Sequence, residues 1–216
     1  MQTANRERKG DIKYNVTLNE EQKFAKQLII ENQIVIVTGR AGSGKSLVCA
    51  QTALDFLMKK ECFKLFVTRA TIEVGNSLGF LPGDLEDKFN PYLEAFIENL
   101  HRCYDKLKID DFVKNKKILA YPVQFIRGKT IDDILVVEEA QNLTKEEMLA
   151  ILTRLGKFGK IIINGDLEQK DIRTPYSGLH YAIDLAKRIE GIEWIKLKEN
   201  HRSDLVGKIL ELEYDN

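Results

Sequence analysis

This 216-residue chain predicts an α/β fold on a mostly parallel sheet. Three observations carry that prediction. Short Val/Ile/Leu runs alternate with longer stretches of helical periodicity. Several runs are apolar without interruption, as strands buried on both faces of a parallel sheet are. A glycine-rich turn, GRAGSGKS at 39–46, joins the first run to the first long helical stretch.

In chain order, the runs predict strands at 34–38, 65–68, 118–123, 134–137, 161–164 and 194–197. Between them, residues 45–60 have helical spacing. A helix over 144–154 opens with Thr144 and Glu147 three apart, the spacing of a reciprocal cap. Further helices are expected at 177–189 and 203–212. Such alternation calls for right-handed crossovers and a sheet with helices on both faces. Residues 76–117 interrupt it as an insertion. The insertion holds the turn Leu81-Pro82-Gly83-Asp84, a helix expected over 91–107, and a lysine-rich end with Lys106, Lys108, Lys114, Lys116 and Lys117. The organisation expected is one domain over 1–216, decorated by that insertion.

Composition narrows the function classes. With 44% hydrophobic and 31% charged residues, there is enough apolar surface to offset ordering entropy, which excludes a disordered or collagen-like chain. Lys plus Arg and Asp plus Glu both number 33, so any surface for nucleic acid must come from local clustering. No apolar run approaches the roughly 20 residues that cross a bilayer. Residues 1–11 are polar and lack a secretory apolar core. Cys49, Cys62 and Cys103 are widely spaced, which fits a reducing cytoplasm and neither a disulfide framework nor a metal site.

The turn at 39–46 fits G-x-x-x-x-G-K-[ST], with an apolar strand before it and a helix after it. Gly39, Arg40, Ala41, Gly42, Ser43 and Gly44 let backbone N–H groups converge on phosphate oxygens, and the helix starting at Lys45, Ser46 and Leu47 adds its positive end. Lys45 is expected to reach the β- and γ-phosphates and Ser46 to ligate Mg²⁺. The ligand expected is therefore ATP with Mg²⁺.

A second constellation follows the fourth strand, Ile134-Leu135-Val136-Val137-Glu138-Glu139-Ala140-Gln141-Asn142. Open α/β sheets place ligands at such strand ends. Glu138 stands where a Mg²⁺-associated Asp is usual, one methylene longer. Glu139 is the candidate to orient and activate water. Neighbouring side chains on a strand point to opposite faces, so both can serve only where the strand stops. A third turn, Asn164-Gly165-Asp166-Leu167-Glu168-Gln169, offers Asn164 or Gln169 to the γ-phosphate, although Asn, Gly and Asp are also ordinary turn residues.

Gln22 has two open readings. Its amide can pair with adenine, and its spacing from Asn19 is that of a helix cap. Arg202 precedes Ser203 beyond the last strand and is a candidate to stabilise charge on the transferring phosphoryl group, from its own chain or a neighbour; His201 reads as an ordinary loop residue. Arg69, Arg127 and Lys129 make a phosphate track if they share a face with the insertion lysines, and Phe80, Phe89 and Tyr92 are candidate stacking surfaces.

In this order the segments resemble the PhoH family of P-loop ATPases, whose core is similar to the first motor domain of superfamily-1 helicases. The resemblance runs from about residue 18 to 214. It rests on Gln22, the turn at 39–46, Val67-Thr68-Arg69-Ala70 with Leu78-Gly79-Phe80-Leu81-Pro82-Gly83-Asp84, Phe125-Ile126-Arg127-Gly128-Lys129-Thr130, Glu138 to Asn142, Gly165 to Asp171, and His201-Arg202. It implies a RecA-like sheet, Mg²⁺-dependent ATP hydrolysis, Gln22 at adenine, Gln169 as γ-phosphate sensor and Arg202 as arginine finger. It also implies a link to single-stranded RNA or DNA. Superfamily-1 helicases close two motor domains on one ATP, so duplex unwinding by this chain is expected to need a ring, such as a hexamer, or a dimer in which Arg202 of one copy approaches the nucleotide of another. Two rival readings stand beside it: a thymidine-type nucleoside kinase, lacking that group's paired zinc cysteines, and a nucleotide-dependent binding module with little turnover.

Overall fold

The computed structural model describes residues 12–70, 85–126, 128–169, 175–199 and 201, with side chains from residue 93 onward in the second stretch. Helices and strands alternate along it: α1 (Glu20–Glu31), β1 (Ile34–Gly39), α2 (Lys45–Met58), β2 (Leu65–Arg69), α3 (Leu85–Cys103), α4 (Lys106–Lys114), β3 (Ile118–Ala120), α5 (Val123–Ile126), β4 (Ile134–Glu138), α6 (Lys145–Leu152), β5 (Lys160–Gly165), α7 (Gly178–Ala186) and β6 (Ile192–Leu197). A short 3-10 turn, Ala140–Asn142, follows β4.

The strands form one sheet in the order β3-β2-β4-β5-β1-β6, and every neighbouring pair is parallel. Period-two alternation explains the unbroken apolar runs. Val35, Val37, Val136 and Ile162 join a core with Ala25, Val48, Leu54, Phe96 and Leu100 from α1, α2 and α3. Ile34, Ile36, Leu135, Val137, Ile161 and Ile163 face the opposite core with Met148, Ile151, Leu179 and Ile183 from α6 and α7. The central strands are thus covered on both faces, as a parallel sheet requires. The edge strand β6 is only half-buried. Its Trp194, 38% exposed, donates from Nε1 to Thr38 Oγ1 at 2.9 Å, next to the end of β1.

The strand order positions the site. β5 lies between β1 and β4, pairing Thr38 with Gly165 and Val137 with Ile163, so three strand ends present their loops side by side.

Two expectations need correction. The third strand stops at Ala120, not at residue 123, because Pro122 has no N–H to give a ladder. Instead the Pro122 carbonyl accepts from Phe125 N–H at 2.9 Å and α5 begins. The insertion is not one helix over 91–107. α3 starts upstream at Leu85 and contains Pro91, then ends at Cys103. Asp105 caps a separate α4, accepting from Lys108 N–H at 2.8 Å, so much of the lysine-rich stretch is helical. The turn at 81–84 and the helix expected at 203–212 lie outside the described residues. Among the described residues, no helix is long and apolar enough to cross a membrane.

Candidate functional site

The first loop is built by its glycines. Gly42 and Gly44 have φ of +92° and +78°, where a side chain is strained. A Cβ on Gly44 would also collide with Gln22 Nε2. No side chain caps α2, because its N-cap is Gly44, which leaves the first-turn N–H groups for an anion. Lys45 Nζ donates to the loop's own Arg40 carbonyl at 3.4 Å and lies 4.0 Å from Asp166 Oδ2, too far for a hydrogen bond. Arg40 Nε donates to Glu168 Oε2 at 2.7 Å, tying this loop to the one after β5.

Opposite stands the acidic pair. Glu138 ends β4 and is buried. Asn164 Nδ2 on β5 donates to its Oε1 at 2.7 Å, and Ser46 Oγ donates to its Oε2 at 3.3 Å. Burial pushes the Glu138 carboxyl up to about 7; the Asn164 and Ser46 hydrogen bonds and the Arg69 charge pull the other way, while Glu139 adds to the rise. Glu139 adopts φ +51°, so the strand stops and the two carboxylates leave the alternation of a regular strand. Gln141 Nε2 donates to Glu139 Oε2 at 2.5 Å, and Gln141 Oε1 accepts from Asp166 N–H at 3.0 Å.

Ser43 Oγ, Asn164 Oδ1 and Asp166 Oδ2 are buried with no hydrogen-bond partner among the described residues. Burial also raises the Asp166 carboxyl above its ordinary range, while a hydrogen bond from the Glu168 backbone and the Lys45 charge offset part of this. An unmatched buried polar atom costs about 1–3 kcal/mol. Three such atoms around one loop mark a place built for polar company. The donor set fits a magnesium nucleotide: N–H groups, Lys45 and Ser43 for phosphate oxygens, and Ser46 with Glu138 for a hard cation.

Gln22 takes the cap reading of its spacing and also touches the glycine-rich loop. It closes the cap of α1 with Asn19 (Gln22 N–H to Asn19 Oδ1, 2.7 Å; Asn19 N–H to Gln22 Oε1, 3.2 Å) while its Nε2 donates to the Ser43 carbonyl at 3.2 Å. Gln169 is half-buried in the turn after β5, its N–H donating to the Asp166 carbonyl at 3.3 Å. Arg69 ends β2 in register with Glu138. Arg202, Arg127 and the Phe80, Phe89 and Tyr92 side chains lie outside the described residues.

Several contacts between the loops were not legible in the sequence. His201 donates its N–H to the Gly42 carbonyl at 3.0 Å, and its Nε2 is 3.0 Å from Asn19 Nδ2. Gln141 and Asp166 matter through contacts between loops, which no local spacing advertises. Asn164 was in view, but toward phosphate rather than toward Glu138.

A parallel sheet whose first strand turns through such a loop into a helix, facing carboxylates from a strand two places away, defines the P-loop NTPase class. The model of the PhoH-like protein family matches residues 16–214, and the chain belongs to that family. It is 35% identical over 208 residues to a PhoH-like protein of Synechocystis sp., covering 94% of this chain and 63% of that one. It is 39% identical over 184 residues to a PhoH-like protein of Bacillus subtilis, covering 83% and 58%. The chain therefore spans 58–63% of the length of these relatives. Among solved structures, the large terminase of a thermophilic bacteriophage in complex with ADP aligns over 91% of this chain and 50% of that one, with 12% identity and a TM-score of 0.54. At that identity the likeness concerns the fold.

Proposed function

We propose that this chain binds Mg·ATP at Gly39–Ser46 and hydrolyses it in the cytoplasm, with turnover coupled to single-stranded RNA or DNA. The observation that carries the proposal is the convergence of Lys45, Ser46, Glu138, Glu139 and Asn164 from three adjacent strand ends.

Residues 39–47 cradle the phosphates, and Lys45 exchanges the Arg40 carbonyl for phosphate oxygens. Ser46 and Glu138 would hold Mg²⁺, which would supply neutralising charge to the phosphates. Asn164 keeps Glu138 aimed at that position. Glu139, with one oxygen held by Gln141, takes the proton of the attacking water on the other. Gln169 senses the γ-phosphate and Gln22 meets the adenine. Arg202 stabilises charge on the transferring group, from its own chain or from a neighbour. For strand separation, copies assemble into a ring such as a hexamer.

Single-turnover hydrolysis and calorimetry test this together. Glu139→Gln should abolish hydrolysis and keep the heat of Mg·ATP binding, whereas Lys45→Ala should lose both. Normal hydrolysis by Glu139→Gln would remove the assigned base.

A further inference from the structure

We propose that a lysine-rimmed groove beside β3 is the surface on which this chain holds a single strand of nucleic acid. The proposal deepens the coupling proposed above, and it rests on a site far from the P-loop. β3 is four strand spacings from β1, roughly 19 Å across the sheet.

The groove is a cavity of about 710 Å³ between the outer edge of β3, the start of β2, the end of α4 and the segment 121–131. Apolar and aromatic residues contribute to its lining: Phe66 and Tyr121 pack with ring centroids 5.2 Å apart, and Ile118 lines it with them. The Phe125 ring stands at the wall and is 45% exposed. The Tyr121 hydroxyl is buried with no hydrogen-bond partner among the described residues.

The rim carries charge of one sign. Lys64, Lys114, Lys116 and Lys129 line the groove, and among the described residues no Asp or Glu does. In a chain with 33 charges of each sign this is a local departure. The carboxylates of Asp132 and Asp133, next along the chain, are taken up by backbone amides: Asp132 accepts from Phe158 N–H at 3.2 Å, and Asp133 from Phe63 and Lys64 N–H at 2.7 and 3.1 Å. Lys129 Nζ lies 4.9 Å over the Tyr121 ring and so takes that face, while Phe125 is the ring left open beside the lysines.

That combination selects the occupant. Cations follow a phosphate backbone, and exposed rings stack on base faces, which a duplex hides in its own stack. An acidic peptide would use the lysines and leave the exposed Phe125 ring without a planar partner. Ile131, in the lining of the groove, comes three residues before β4, whose far end is Glu138.

The test is fluorescence anisotropy of fluorescein-labelled oligo(dT) and oligo(U) with the full chain and no nucleotide, across a salt series. The wild type should bind, with affinity falling as salt rises. Lys114→Glu with Lys129→Glu should weaken binding at least about tenfold and flatten the salt slope, since each lost phosphate contact removes about 0.7 from it. Phe125→Ala should weaken binding without changing that slope. Basal ATP hydrolysis without oligonucleotide should be unchanged in both variants. The proposal is overturned if the wild type binds neither oligonucleotide, if the charge-reversed chain binds as the wild type does, or if polyglutamate competes as well as unlabelled oligonucleotide. In each case unimpaired basal hydrolysis leaves the ATPase reading intact, whereas loss of hydrolysis in the wild type with oligonucleotide binding retained separates the two in the other direction.

Discussion

Glu138 is held in place at the expense of stability. Its carboxyl, pushed up to about 7 by burial, titrates near 4.5 when free. A group whose folded value is raised contributes fully below the unfolded value, and that contribution is lost as pH climbs through the folded one. A difference of this size is on the order of 3 kcal/mol. Glu138→Gln, which can keep the Asn164 bond, should therefore match wild-type stability near pH 4. It should exceed it by that order at pH 8, measured by urea unfolding in EDTA; equal stability at both pH values would mean Glu138 is not desolvated as described. At this scale the sequence showed residues that act with their chain neighbours, such as Lys45 with Ser46 and Glu138 with Glu139. It could not show Gln141 reaching Asp166, or Asn164 turned to Glu138, because those contacts exist only after β5 slides between β1 and β4.

Among the elements, α6 shows how local chemistry fixes a boundary. Thr144 Oγ1 accepts from Glu147 N–H at 3.2 Å, and Glu147 Oε2 accepts from Thr144 N–H at 2.8 Å. The cap sets the start of a helix that buries Met148 and Ile151 against the sheet. Thr144→Ala should cost about 1 kcal/mol, seen as a lower urea midpoint with an unchanged slope; a changed slope would mean the helix no longer docks. Elements with strong signals were legible: β1, β4 and β5 from unbroken apolar runs, and α6 from its cap. The insertion was less so. A three-residue β3 is too short for its pattern to separate from the α5 turn beyond it, and Pro91 masked helix upstream of itself.

For the whole molecule, the strand order was not legible, since periodicity says which runs are strands and nothing about their neighbours. The described residues build one sheet, and the ring proposed above sets a second copy beside it. Light scattering with a non-hydrolysable ATP analogue should give a multiple of the chain mass; a monomer with full turnover would exclude the ring. Thr38, one residue from the P-loop, is meanwhile in contact with the sole tryptophan of the chain. An intrinsic fluorophore is thus wired to the phosphate grip. Titrating nucleotide into unlabelled protein should shift its emission, and the loop's occupancy can be followed in real time through light the molecule already gives off.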